Sequence, residues 1–93
     1  IRDDVPEGET ARVFAALGAL VGVVDGLISF EAGTNIDLEH KSIGFTHGFV
    51  MRFDARATLE AYATDPAHLA AGRDLVAICA GHAEGIMVFD LDI

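Results

Sequence analysis

Tryptophan is absent from this chain, which has one cysteine, one tyrosine, two prolines and six basic residues among its 93. A lone thiol, Cys79, cannot close an internal disulfide, and it suits a reducing cytoplasm. Six Lys and Arg against fifteen Asp and Glu leave a net charge of −9. So few cations build no stripe along a phosphate backbone, which argues against nucleic acid and anionic membranes as partners. No apolar run approaches the roughly 20 residues of a membrane-spanning helix, and no basic-then-apolar leader opens the chain. His40, His47, His68 and His82 lack zinc-ligand spacing. The ten glycines are scattered and form no phosphate loop. No Ser-His-Asp or Cys-His arrangement stands out. The expectation is a protein without metal or cofactor.

What is abundant is apolar: 52% hydrophobic residues against 23% charged. The length allows one domain, residues 1–93, with a modest core. A small domain rich in apolar residues hides the excess in an interface.

The order of elements follows from periodicity. Asp3 and Asp4 lead into Pro6, suited to the first helical position. Val13, Phe14, Leu17, Leu20, Val21 and Val24 then recur at helical spacing, so a helix is expected to end near Val24. Gly18 and Gly22 weaken it and permit close approach to a sheet. After the Asp25-Gly26 turn, Leu27 to Ala32 alternate as a half-buried strand, with Ile28, Phe30 and Ala32 on one face. Gly33 to Ser42 is a polar loop. From Phe45 to Phe53 the period is again two. Phe45, His47, Phe49, Met51 and Phe53 share an apolar face that belongs under helices. Thr46, Gly48, Val50 and Arg52 share a mixed face suited to water or a partner. Asp54 is expected to cap a helix from Ala55 to Thr64, and Asp65-Pro66 to restart one. Leu75, Val76, Ile78 and Cys79 form the apolar face of that last helix, which is expected to stop near Gly81. Ile86 to Ile93 alternates as a final strand. If a strand preceded Pro6, the order would be βαββαβ, an α+β ferredoxin-like fold with helices on one face of an antiparallel four-stranded sheet.

Several of these residues resemble a known family. Gly44-Phe45-Thr46-His47, then Phe53, then the run from Tyr62 through Pro66 to His68, then Val88-Phe89-Asp90, are similar to the stress-responsive dimeric α/β-barrel (Dabb) domains. The Tyr-x-x-x-Pro-x-His run after a strand ending in Phe is the most specific part. The resemblance implies a homodimer in which two four-stranded sheets close a barrel. It also implies a pocket between sheet and helices. The family includes the plant olivetolic acid cyclase, which closes a linear polyketide with His and Tyr residues. On that resemblance Tyr62, His68 and the strand residue His47 match its site. This chain departs in three respects. The first strand is missing or reduced to Ile1-Arg2, Asp65 stands where a His often precedes Pro, and small residues replace the aromatic helix that follows.

His68 falls at the third position of a helix, where the dipole favours the neutral ring a general base needs. The alternative is a surface or capping histidine. His47 sits mid-strand between phenylalanines and needs a hydrogen-bond partner or a cavity; a satisfied core histidine is the alternative. Tyr62 lies three residues after Leu59 on one helical face and points inward, either to polarise a carbonyl or as an ordinary core aromatic. Together they suggest proton abstraction beside a ligand carbonyl. Tyr62 would hold the carbonyl, His68 would take the proton, and His47 would orient His68 or the ligand. Phe30, Phe49, Met51, Leu59 and Phe89 would wall an apolar pocket for a small hydrophobic ligand. The competing readings are a non-catalytic ligand-binding dimer and a structural stress-response dimer with a vestigial cavity. A cofactor-free or haem monooxygenase ranks below them, because no haem-ligand signal is visible.

Overall fold

The computed structural model describes residues 1–93. Helix α1 spans Glu7–Gly18, with Pro6 as its extended N-cap and Glu7 and Glu9 in the first turn. Acidic side chains there suit the positive end of the dipole. Val13 and Leu17, one turn apart, are the two most deeply buried large side chains in the chain. The helix stops six residues before the expected Val24. Leu20 to Val24 instead form tight turns, with the Leu20 carbonyl accepting from both the Val23 and Val24 amides at 2.9 Å. Gly22 in this stretch has φ +87°, a conformation that ends helical winding. Gly18 makes the close approach to the sheet. A Cβ there would lie 3.1 Å from the Phe30 ring.

Strands β1 (Leu27–Thr34) and β2 (His47–Phe53) pair antiparallel, with Phe30 opposite Met51, Ala32 opposite Phe49 and Thr34 opposite His47. β1 runs two residues beyond the expected Ala32, and β2 starts two residues after Phe45. An irregularity between Leu27 and Ser29 leaves Ile28 out of the register. Such a bulge reverses the parity of what precedes it. Leu27 is therefore buried beside the core while Ile28 is 58% exposed, which corrects the expected grouping of Ile28 with Phe30. The two faces of β2 separate as the alternation predicts. Phe49 packs on Phe14 and Phe30, and Phe53 packs on Tyr62. Thr46, Gly48, Val50 and Arg52 face outward.

Helices α2 (Arg56–Tyr62) and α3 (Pro66–Ile78) follow. At the start of α2 the Thr58 hydroxyl accepts from the Ala55 amide and donates to the Asp54 carboxylate, at 3.3 and 2.8 Å. Asp65 caps α3, with Pro66 at its first position. Ala71, Leu75 and Ile78 of α3 meet Val13 and Leu17 of α1 in the core, which also holds Cys79. Burial pushes the Cys79 thiol above its ordinary range.

The expected final strand does not form. A short 3-10 turn, His82–Gly85, is followed by Ile86 to Ile93 in irregular backbone, and the sheet has two strands rather than four. The physical reason is pairing: neither β1 nor β2 forms a ladder with this segment. The Arg2 amide donates to the Ile78 carbonyl instead of to a neighbouring strand. An alternating sequence without a ladder partner has nowhere to place its backbone hydrogen bonds except water. Phe89 in this segment is 73% exposed and does not join the apolar wall expected of it.

Candidate functional site

Two turns of the chain bring Tyr62 and His68 together. Tyr62 ends α2, and the Thr64 and Asp65 amides close back on the Ala61 and Tyr62 carbonyls, reversing the chain within three residues. The Asp65 carboxylate then accepts from the Ala67 and His68 amides at 2.8 and 3.3 Å, fixing the first turn of α3. This delivers the His68 imidazole flat against the Tyr62 ring, with centroids 3.9 Å apart and planes 21° from parallel.

Hydrogen bonding sets the chemistry of the pair. His68 Nδ1 lies 2.8 Å from the Tyr62 carbonyl oxygen. A carbonyl only accepts, so Nδ1 carries the proton and Nε2 is the basic nitrogen of the neutral ring. One helical turn on, Gly72 lies beside Nε2; a Cβ there would make an ordinary contact with it at 3.9 Å. Tyr62 is buried, and its hydroxyl donates to Met51 Sδ at 3.3 Å. A thioether is a weak acceptor, so this bond is easily exchanged for a better one. Burial first, and the Asp65 charge second, push the phenol above its ordinary pKa, so it remains a donor at neutral pH. Phe53 tilts against the other side of Tyr62 at 5.0 Å. Phe30 stands across the sheet from Met51, and half-buried Leu59 lies one turn before Tyr62.

His47 sits apart from this pair. It is at the opposite end of β2, four residues from Met51, or about 13 Å of strand. Its ring meets Phe14 edge-on at 5.8 Å, and its Nδ1 pairs with the Thr46 hydroxyl at 2.8 Å. No hydrogen bond joins it to His68. Phe49 belongs to the same end, stacked on Phe30 at 5.4 Å. Two surface clefts open elsewhere, one along the Asn35–Ser42 loop and one between the N-terminal segment around Ile1 to Asp3, Thr10 of α1, and Thr34, Thr46 and His47. Neither is lined by Tyr62 or His68.

Sequence reasoning missed Phe53, Phe14 and Gly72 as neighbours of these side chains. Phe53 was legible as the last member of the apolar strand face. Gly72 was legible as the residue four after His68 on one helical stripe. Phe14 was not, because nothing local relates α1 to β2.

The family described as stress responsive A/B barrel domain matches this chain over residues 1–93. A dimeric ferredoxin-like protein of unknown function from Jannaschia sp. CCS1 is 40% identical, with a TM-score of 0.82, covering 96% of this chain and 89% of that one. A dimeric protein of unknown function with a ferredoxin-like fold from Bacteroides fragilis NCTC 9343 is 31% identical, with a TM-score of 0.51, covering 80% and 73%. The Arabidopsis thaliana protein At3g17210 is 23% identical, with a TM-score of 0.70, covering 75% and 68%, a likeness of fold alone. No curated protein matches.

Proposed function

The chain belongs to the stress responsive A/B barrel domain family, and from that premise we propose that it works as a homodimer of ferredoxin-like subunits in which Tyr62 and His68 receive a small hydrophobic carbonyl compound. The observation that carries this reading is the stacked pair, with its tautomer fixed by the Tyr62 carbonyl. A ligand carbonyl takes the Tyr62 hydroxyl from Met51, gaining a stronger acceptor for the phenol. His68 Nε2 then accepts a proton from the carbon beside that carbonyl. The developing enolate oxygen is held by the phenol. The products of this step are the enolate and an imidazolium, which returns the proton after ring closure or cleavage. No cofactor takes part. Met51, Phe30 and Leu59 supply the apolar wall. His47 would act on a distant part of a long ligand or on folding alone.

Two observations support the homodimer. Two of the similar solved proteins are described as dimeric. The outer face of β2 also leaves Val50 56% exposed, and the bulged Ile28 of β1, next to the Ser29–Arg52 pair, is exposed as well.

A ligand-binding or structural dimer without turnover is the competing reading, favoured by the direct contact of the two rings, which must part to admit a ligand. Native mass spectrometry of the protein against a metabolite extract would find the ligand, and incubation with it would test conversion. Conversion lost in His68→Ala and Tyr62→Phe supports the enzyme. If both variants bind the ligand as the wild type does and the wild type converts none of it, the catalytic reading fails and the binding one stands.

A further inference from the structure

We propose that Met51 is a peroxide-sensitive modification site whose oxidation closes the Tyr62–His68 pair to ligands. The chain has two methionines, and they differ sharply in surroundings. Met87 lies in the exposed C-terminal segment. Met51 is half-buried on β2, with its sulfur in contact with the hydroxyl of the only tyrosine.

The chemistry is a two-electron oxygen transfer. A sulfur lone pair of Met51 attacks the terminal oxygen of a hydroperoxide, and the O–O bond breaks. The S–O bond forms, and the proton of the hydroperoxide leaves with the departing oxygen as water or an alcohol. Sulfur is oxidised and the peroxide reduced. The product sulfoxide is polar and a far stronger acceptor than the thioether.

The geometry makes this reaction consequential. The 3.3 Å between Sδ and the Tyr62 oxygen is one contact distance, with no room for another oxygen. Oxygen added on that side displaces the phenol, which is stacked on His68 at 3.9 Å and tilted against Phe53 at 5.0 Å. Oxygen added on the other side places a polar group against the apolar wall, and Met51 must turn to satisfy it. The Tyr62 hydroxyl, already in contact with the sulfur, is a donor within reach. Either way Tyr62 changes its partner, and the hydroxyl is held by a strong acceptor that a ligand carbonyl does not easily replace. The effect on ligands rests on the function proposed above; the change at Tyr62 does not.

The test uses Tyr62 as its own reporter, since the chain has no tryptophan and no other tyrosine. The full chain, Met51→Leu and Met87→Leu are treated with hydrogen peroxide. Oxygen uptake at each methionine is read by peptide mass spectrometry, and Tyr62 by fluorescence and by the pH at which tyrosinate absorbance develops. Hydrogen bonding to the neutral phenol shifts that pH upward. Wild type and Met87→Leu are expected to gain one oxygen at Met51, with a changed emission and an upward tyrosinate shift, and Met51→Leu neither. The proposal is overturned if Met51 resists oxidation until the chain unfolds, or if its oxidation leaves both Tyr62 signals unmoved. A response in Met51→Leu equal to that of the wild type overturns it too. Loss of ligand binding without the spectral change would count against the switch, not against the ligand site.

Discussion

The His68 ring reports back to the residue it stacks on: its Nδ1 donates to the Tyr62 carbonyl at 2.8 Å while its face lies 3.9 Å from the Tyr62 ring. They lie six positions apart in sequence. The Asp65-Pro66 helix restart makes the contact possible, and Asp65 is therefore the point at which to disturb it.

Removing the cap in Asp65→Ala leaves two helix amides without their acceptor. A loss of about 1 kcal/mol is expected, read from urea denaturation. Asp65→Asn keeps an accepting oxygen and should remain near wild type in stability. It also removes a charge that raises the Tyr62 phenol, so its tyrosinate should form at lower pH than in wild type. If the Asn variant loses as much stability as the Ala variant, the cap is not what Asp65 contributes.

Alkaline stability follows from the same phenol. Tyr62 is raised in the folded chain above the value near 10 expected when unfolded, first by burial and then by the Asp65 charge. Between these two values the folded chain holds the proton more tightly than the unfolded one. The stabilisation is whole below about pH 10 and is lost as pH rises through the folded value. Cys79, raised mainly by burial, adds a loss of the same sign from about pH 9. Tyr62→Phe should show a shallower fall in thermal midpoint above pH 10 than wild type. Equal slopes would remove Tyr62 from the account.

Two left-handed glycines separate strain from collision. Gly22 has φ +87° and open space around it, whereas at Gly26, φ +82°, a Cβ would collide with the Thr58 side chain. Gly22→Ala should cost about 1 kcal/mol of backbone strain. Gly26→Ala should cost clearly more, because it also drives apart Thr58 and Asp54 at the start of α2. Chemical denaturation of the two variants measures the difference, and equal losses would mean that the Thr58 contact yields freely.

Ile43 is a β-branched residue held at φ +47° with its side chain 83% exposed. Its side chain gains little from burial there, and its backbone is strained. Ile43→Gly is expected to relieve strain and raise stability by a few tenths to about 1 kcal/mol. A lower denaturation midpoint in this variant would mean that the exposed side chain is covered in the assembled protein.

The outer sheet face is the expected seat of the dimer. Val50→Lys places two further cations near Arg52 across a twofold interface. Light scattering should report half the wild-type mass at micromolar concentration, with the circular dichroism of the subunit kept. A monomeric wild type would end the dimer reading directly. A variant that still pairs would move the interface elsewhere.

Much of the fold was legible because it is local. Alternation in β2 assigned Phe49, Met51 and Phe53 to the covered face. Asp65-Pro66 marked the start of α3, and Gly18 marked a close approach. The bulge at Ile28 was not legible, since one extra residue in a strand leaves no mark in an alternating pattern. The end of α1 was misplaced because Leu20, Val21 and Val24 keep helical spacing through a stretch where Gly22 takes a left-handed turn.

The candidate site divides in the same way. The sequence alone determined that Tyr62 and His68 flank a helix restart and that Met51 faces inward, since each follows from a period or a cap within a few residues. Only the tertiary structure decided that the Tyr62 hydroxyl donates a hydrogen bond to Met51, that His47 lies at the far end of β2 with Phe14, and that Phe89 stands in solvent. These depend on which backbone lies beside which. A side-chain pattern states a preference for a strand or a face, but a ladder needs a second chain segment in place, and for Ile86 to Ile93 the described residues provide none.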